Sequence, residues 1–210
     1  PVELESAGFP RERLGECQRL ERCFDFLQKS EFVGLDVEVW RQAQDLVAGV
    51  DDAWAAARAM SRFIRNEFAY DTGATTVNTH MLEVLRHRRG VCQDFAHVLI
   101  GLCRSVRIPA RYVSGYLLTR PPPGRPRLVG ADASHAWVSV YCPGHGWVDV
   151  DPTNNLFPSL EHVTLGWGRD YDDVIPLRGV LLGGGDHEVS IAVTVAPIEE
   201  YASIFNKPPP

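Results

Sequence analysis

The chain has 210 residues, of which 45% are hydrophobic and 23% are charged, and its formal net charge is −6. A chain of this length buries about 70% of the surface that it exposes when unfolded, so one domain can form its core without a metal or a disulfide. The composition excludes extended disorder, collagen-like repeats and a disulfide-stapled miniprotein. The negative charge argues against nucleic acid as the main partner, because phosphate binding requires a clustered basic surface.

The sequence also indicates in which cellular compartment the protein is expected and whether it is expected to hold a metal. It has no stretch of about 18 apolar residues and no apolar signal-peptide core, so we expect neither a membrane span nor a membrane partner. It begins with Pro1, as a fragment, a processed chain or a trimmed chain would. The cysteines are odd in number and form no closely spaced pair: Cys17, Cys23, Cys92, Cys103 and Cys142. This pattern argues against a disulfide framework and a structural metal, and it is typical of a cytoplasmic protein.

Helical patterns fill the first half of the chain. Residues 36–49 begin with a capping aspartate and end with a glycine, which predicts a helix. Asp51 and Asp52 open a second helix, whose apolar residues recur at helical spacing until about Phe68.

A loop and two further helices follow. Residues 70–78 are rich in turn formers and predict a loop, after which Thr79 caps a short helix that Gly90 ends. The next helix is strongly apolar, begins with Cys92 in its first turn and ends before Ile108.

Strand patterns dominate the remainder. Residues 111–118 predict a strand, and a Pro-rich segment at 120–130 predicts an exposed, mobile loop. Residues 134–141 and 147–151 predict a hairpin around a Pro-Gly-His-Gly turn. One more alternating strand is expected at residues 189–195.

Three residues along this order suggest nucleophilic chemistry. Cys92 lies at a helix N-terminus, where the positive end of the helix dipole stabilises a thiolate. The predicted hairpin brings His135 close to residues 151–153, so a carboxylate of Asp151 can orient the imidazole that serves the thiol. Asp149 lies on the same strand face by parity and is the alternative orienter.

Four motifs in this order resemble the bacterial transglutaminase-like superfamily. They are Gly-Val-Cys92-Gln-Asp-Phe-Ala, Ile108-Pro-Ala-Arg-Tyr-Val-Ser-Gly-Tyr, Ser-His135-Ala-Trp-Val and Gly-Trp-Val-Asp-Val-Asp151-Pro-Thr-Asn. The similarity extends from about Phe63 to Asn154. It implies an α+β fold with a papain-like core, in which a helix bundle that carries the catalytic cysteine packs on an antiparallel β-sheet.

The resemblance also implies a mechanism. Cys92 corresponds to the nucleophile, His135 to the base and Asp151 to the orienter, because the Asp-Pro-Thr run favours Asp151 over Asp149. The implied chemistry is acyl transfer on the amide bonds of a peptide or protein through a thioester, without a cofactor. We expect a cysteine peptidase or amidase in preference to a transamidase.

Other roles and classes remain open. Tyr70 and His80, which precede the cysteine helix, are candidates for lining the substrate cleft, and Trp137 is either a packing residue or a substrate platform. A non-catalytic peptide-binding module would use the same cleft without cleaving its ligand. A metal site formed by the three triad residues is a further alternative.

The predicted organisation has four parts. Residues 1–35 form an N-terminal segment, 36–157 the catalytic core, 158–197 an extension that completes the sheet, and 198–210 a tail. The resemblance implies that longer relatives carry an upstream β-rich domain.

Overall fold

Helices occupy the first half of the chain and the main β-sheet the second half. The computed structural model describes residues 8–120, 132–179, 182–183 and 190–200. The helices are α1 (Glu21–Phe24), α2 (Val37–Leu46), α3 (Ala53–Glu67), α4 (Met81–His87) and α5 (Cys92–Ser105). The strands are β1 (Ala69–Tyr70), β2 (Arg89–Gly90), β3 (Ala110–Leu117), β4 (Ser134–Cys142), β5 (Gly146–Val150) and β6 (His162–Gly168). The predicted Pro-rich loop and most of the predicted tail lie outside the described residues.

The two predicted helices at 36–49 and from Asp51 to Phe68 are confirmed as α2 and α3. Asp36 is the N-cap residue of α2. Asp52 caps α3, where its Oδ1 accepts a hydrogen bond of 2.9 Å from the backbone N–H of Ala55. Such a cap satisfies one of the donors that a helix start leaves free.

Helix α4 forms as expected but is bounded differently. His80 caps it instead of Thr79, because His80 Nδ1 accepts a 3.2 Å hydrogen bond from the backbone N–H of Leu82. Its C-cap is Arg88, with a left-handed φ of 51°, and not Gly90. The predicted boundaries of this helix were therefore wrong at both ends.

Helix α5 is the central element of the core, and its predicted extent is confirmed. It packs on one face of the sheet, where Tyr112, Val138 and Val140 are buried. Its His97 is buried against Tyr112 and accepts a hydrogen bond from the backbone N–H of Tyr171 at 3.2 Å. Burial lowers the pKa of His97 to about 3, so this histidine is a neutral core residue.

Strands β3 to β6 form an antiparallel sheet in the order β5-β4-β3-β6. The predicted β4–β5 hairpin is confirmed, with Val138 paired to Val150. The strand expected at 189–195 was wrong: the described residues 190–195 form no strand, and the backbone carbonyl of Val193 accepts a hydrogen bond from the backbone N–H of Asp132. Strand β6, which pairs with β3 at the sheet edge, was not predicted from the sequence.

One buried arginine links distant parts of the chain. Arg104 of α5 donates hydrogen bonds to the backbone carbonyls of Gln28 (2.8 Å), Ala110 (2.9 and 3.1 Å) and Arg169 (2.5 Å). Burial lowers its pKa to about 10, so the guanidinium remains charged at neutral pH. The N-terminal segment, β3 and the segment after β6 therefore share one anchor.

The described helices are too short or too polar to span a bilayer: none has both the length and the apolar character that a membrane crossing requires.

Candidate active site

The start of α5 presents Cys92 as its first residue, partly exposed. Two residues further on, the buried Asp94 reaches back, and its Oδ2 accepts hydrogen bonds from the backbone N–H of Val91 (2.8 Å) and the hydroxyl of Thr75 (2.6 Å). A Cβ on Gly90 would lie 2.5 Å from that oxygen, which is why glycine precedes the helix. Asp94 therefore caps α5 and fixes the backbone that carries the thiol.

His135, the second residue of β4, joins the thiol to a buried carboxylate. Its Nε2 lies 2.7 Å from Oδ2 of Asp151, and the side chains of His135 and Asp151 are 10% and 0% exposed. The thiol of Cys92 is the other neighbour that raises the pKa of this imidazole. The structure thus brings the three residues together, with the imidazole bonded to the carboxylate and close to the thiol.

The electrostatics of this chain favour charged partners. Burial by itself lowers the pKa of His135, but hydrogen bonds to Asp151 and Cys92 outweigh burial and raise that pKa to about 9. Burial raises the pKa of Asp151, but hydrogen bonds from His135, His162 and Asn154 outweigh it and hold the pKa well below its usual range. At neutral pH the pair is therefore an imidazolium and a carboxylate.

Asp151 is held by a tight turn directly after β5. Its Oδ1 accepts hydrogen bonds from the backbone N–H groups of Thr153 (2.9 Å) and Asn154 (3.2 Å). The side-chain amide of Asn154 donates to Oδ2 at 2.8 Å, and the backbone of Asp151 bridges to Leu156. The carboxylate therefore has a fixed position before any ligand binds.

His162 is a further partner that the sequence analysis missed. Its side chain is 3% exposed, and its Nε2 lies 3.4 Å from Oδ2 of Asp151. Its Nδ1 accepts a long hydrogen bond of 3.5 Å from the backbone N–H of Ser159, which fits the tautomer with a proton on Nε2. Only recognition of β6 could have revealed it, because His162 is the first residue of that strand and pairs with Leu117.

Comparison with known proteins agrees with this geometry. Residues 41–152 match the family model of the transglutaminase-like superfamily, more than half of the chain. The chain belongs to the transglutaminase-like superfamily. The mixed α+β architecture with a papain-like core is confirmed as well.

The chain is similar in sequence to several bacterial proteins. An uncharacterised protein of Mycobacterium tuberculosis (strain H37Rv) is 44% identical over 147 residues, which cover 68% of this chain and 47% of that protein. A Mycobacterium leprae protein is 40% identical over 140 residues. A protein-glutamine gamma-glutamyltransferase of Pseudomonas aeruginosa is 35% identical over 108 residues, which cover 49% of this chain and 16% of that enzyme. This chain spans about half the length of the mycobacterial relatives.

Two crystal structures share the transglutaminase-like fold. A candidate cysteine protease from Cytophaga hutchinsonii superposes with a TM-score of 0.64 at 28% identity, covering 74% of this chain and 50% of that one. The periplasmic domain of TgpA from Pseudomonas aeruginosa, bound to ethylmercury, gives a TM-score of 0.51 at 26% identity, covering 67% of this chain and 52% of that one.

In this transglutaminase-like site, Asp149 serves a different partner from Asp151. Its Oδ2 accepts a 3.1 Å hydrogen bond from the indole Nε1 of Trp137. Trp137 is fully buried and packs against His135 and His162, with ring centroids 6.1 and 5.2 Å apart. Of the two roles considered for Trp137, a packing residue or a substrate platform, its full burial supports the packing role.

The two predicted cleft residues separate in the structure. Tyr70 is 56% exposed, and its pKa is raised by partial burial and by the charges of Cys92 and Asp94. His80 does not join the cluster, because its ring caps α4 and its Nε2 lies 3.4 Å from where a Cβ on Gly34 would be.

The potential metal ligands that lie close together differ from the predicted set of Cys92, His135 and Asp151. Among the described residues, the ligand atoms of His135, Asp151 and His162 lie within 4.8 Å of one another, and Cys92 is outside this group. A tetrahedral ion at about 2.0–2.1 Å from its ligands separates them by about 3.3 Å. The 2.7 Å contact between His135 and Asp151 is shorter and is that of a direct hydrogen bond.

Proposed function

We propose that this chain is a cysteine hydrolase that cleaves amide or peptide bonds through a thioester intermediate. The observation that supports it is the convergence of the Cys92 thiol, at the N-terminus of α5, with the hydrogen-bonded pair of His135 and Asp151. Neither a packing role nor a purely structural ion pair requires a partly exposed thiol beside such a pair.

The first half of the reaction forms the thioester. The sulfur of Cys92 attacks the amide carbonyl carbon, and the resulting oxyanion accepts a hydrogen bond from the Cys92 backbone N–H at the helix start. The imidazolium of His135 then gives its proton to the leaving nitrogen, the C–N bond breaks and an amine departs.

The second half regenerates the Cys92 thiolate. The neutral His135 takes a proton from water, whose oxygen attacks the thioester carbonyl. The C–S bond breaks, the acid product leaves and the thiolate–imidazolium pair is restored. Asp151 orients the imidazole and stabilises its positive charge, while Asn154 and His162 are positioning residues that hold Asp151.

Transamidation is the second candidate, because the chain is 35% identical over 108 residues to a protein-glutamine gamma-glutamyltransferase. An amine then replaces water as the acceptor of the acyl group. The two activities share every step up to the thioester and differ only in the second nucleophile.

One experiment separates these functions. The chain is incubated with a peptide library, with and without a primary amine, and the products are identified by mass spectrometry. Hydrolysis adds the mass of one water, whereas transamidation adds the amine with loss of ammonia. Cys92→Ala is the control, and product formation by that variant excludes the thioester mechanism. Peptide binding without any product identifies a non-catalytic module instead.

A further inference from the structure

A second cavity lies behind the turn that carries Asp151. Its volume is about 340 Å³, and one wall is formed by Arg58, Ser61 and Arg62 of α3. The opposite wall is apolar and contains Val150, Leu156 and Phe157. None of the three triad residues lines it.

The α3 wall carries two positive charges that no carboxylate of the described residues pairs with. Arg58 and Arg62 are four residues apart and therefore lie on one face of the helix. Within the described part of the chain, neither guanidinium forms an ion pair with a carboxylate. Arg58 is held in place over the ring of Phe157, 5.3 Å from its centroid. In a chain with a net charge of −6, two such arginines beside one cavity form a local anion-attracting site.

Ser61 provides an independent indication of a ligand. It is 1% exposed, lines the cavity, and its Oγ has no hydrogen-bond partner among the described residues. A buried hydroxyl without a partner is destabilising, and a ligand oxygen that reached it would remove that penalty.

The cavity wall is rigid on the side of the turn. Arg65, one helical turn after Ser61, donates a hydrogen bond of 3.2 Å to the backbone carbonyl of Thr153. Asn155, which also lines the cavity, adopts a left-handed φ of 52°. The hydrogen bond thus joins α3 to the turn beside the cavity.

We propose that this cavity binds a small organic anion. Its carboxylate or phosphate group lies between the guanidinium groups of Arg58 and Arg62 and accepts a hydrogen bond from Ser61. Its apolar part contacts Leu156 and Phe157. Arginine suits this role because its planar guanidinium donors match the oxygens of both carboxylate and phosphate groups. An inorganic ion has no apolar part that could contact the apolar wall.

Isothermal titration calorimetry at constant ionic strength tests the site, with phenyl phosphate, benzoate and inorganic phosphate as titrants. We expect saturable binding of one equivalent of phenyl phosphate or benzoate, with Kd of about 1 mM or tighter, and weaker binding of inorganic phosphate. Tighter binding of phenyl phosphate identifies an organic phosphate as the ligand class, and tighter binding of benzoate a carboxylate.

Variants then locate the binding. Arg58→Gln and Arg62→Gln each weaken it about tenfold, and Ser61→Ala weakens it severalfold. Because Ser61→Ala removes an unpartnered hydroxyl, its unfolding midpoint is unchanged or higher, so weaker binding there is not due to misfolding. Arg19→Gln, at an exposed residue of the N-terminal turns, is the matched loss of one charge and leaves binding unchanged.

Two results overturn the proposal. The first is the absence of saturable binding for all three titrants. The second is equal weakening by Arg19→Gln and the cavity variants, which shows diffuse attraction to the surface. Cys92→Ala binds like the unaltered chain, so the test is independent of the proposed hydrolase activity.

Discussion

The imidazole of His135 is hydrogen-bonded to Asp151, has the Cys92 thiol as a neighbour and is largely shielded from solvent, and this combination sets its protonation. A raised pKa means that the charged form persists through neutral pH and is lost only as the pH rises through about 9. The ring is therefore ready to donate a proton to a leaving amine at physiological pH. In the proposed reaction, the neutral state that accepts a proton from water arises after that donation.

We accordingly expect kcat/KM to fall as the pH rises through about 9, because the general acid is lost. Asp151→Asn moves this alkaline limb to lower pH and lowers the rate on the order of 10⁴-fold. Asp149→Asn is the matched control: it lowers the rate by no more than about tenfold and leaves the limb in place. Rate profiles from pH 5 to 11 for the three proteins measure this, and an essential Asp149 with a dispensable Asp151 contradicts it.

His162 contacts the carboxylate and not the thiol, so its effect reaches the reaction through Asp151. We expect His162→Phe to lower kcat about tenfold with KM unchanged, because the variant lacks the donor but retains a ring beside Trp137. His162→Gln keeps a donor and recovers most of the loss. Steady-state kinetics on both variants provide the test. Equal losses in the two variants mean that the ring only fills space.

At the level of elements, local signals account for what the sequence could predict. Caps and helical spacing were sufficient for α3 and α5, and the tight turn was sufficient for the β4–β5 hairpin, so the convergence of Cys92, His135 and Asp151 followed. Strand β6 was not predicted because Gly166 and Gly168 interrupt its alternation of apolar and polar residues, and because its partner strand, β3, is distant in the chain.

Alternation alone also misled the sequence analysis at 189–195. A strand requires an available neighbouring edge as well as a period of two. In the described residues 190–195, the backbone forms hydrogen bonds with Asp132 but joins no strand, and Ile191 is 73% exposed. His162 was missed for the complementary reason, since its position is determined by pairing with β3 and not by any local motif.

The N-terminus of α5 gives a prediction at this scale. Gly90→Ala places a methyl group 2.5 Å from Oδ2 of Asp94, so the cap of α5 must move. We expect a loss of about 1–3 kcal/mol in the free energy of unfolding, together with slower turnover. Gly179→Ala, where a Cβ meets nothing within 4 Å, is the control and changes neither. Urea denaturation measures both, and equal stability of the two variants refutes the role given to the cap.

Across the whole molecule, the five thiols fall into two classes. Cys92 is partly exposed, whereas the other four are buried, and burial raises the pKa of Cys23 and of Cys142 to about 12. The folded chain therefore presents a single thiol to solvent-borne reagents.

We expect iodoacetamide to label Cys92 first at pH 6–7, and the other cysteines only after unfolding. Peptide mapping of the alkylated protein, with and without denaturant, measures this. His135→Ala slows the labelling of Cys92 at neutral pH, because the imidazolium that stabilises the thiolate is removed. First labelling of Cys17 or Cys142 in the native protein contradicts the assignment of the nucleophile.

The hydrogen bonds of Arg104 bear on how this molecule can be divided. Two of its three carbonyl partners, on Gln28 and Arg169, lie outside the 36–157 stretch that carries the recognisable motifs. Excision of that stretch would leave a guanidinium deep in the interior with fewer acceptors, a costly arrangement for a charge. The segment that contains the family motifs, residues 36–157, is thus shorter than the segment that the fold requires. A graft of this segment into another protein has to include the flanking residues that carry Gln28 and Arg169.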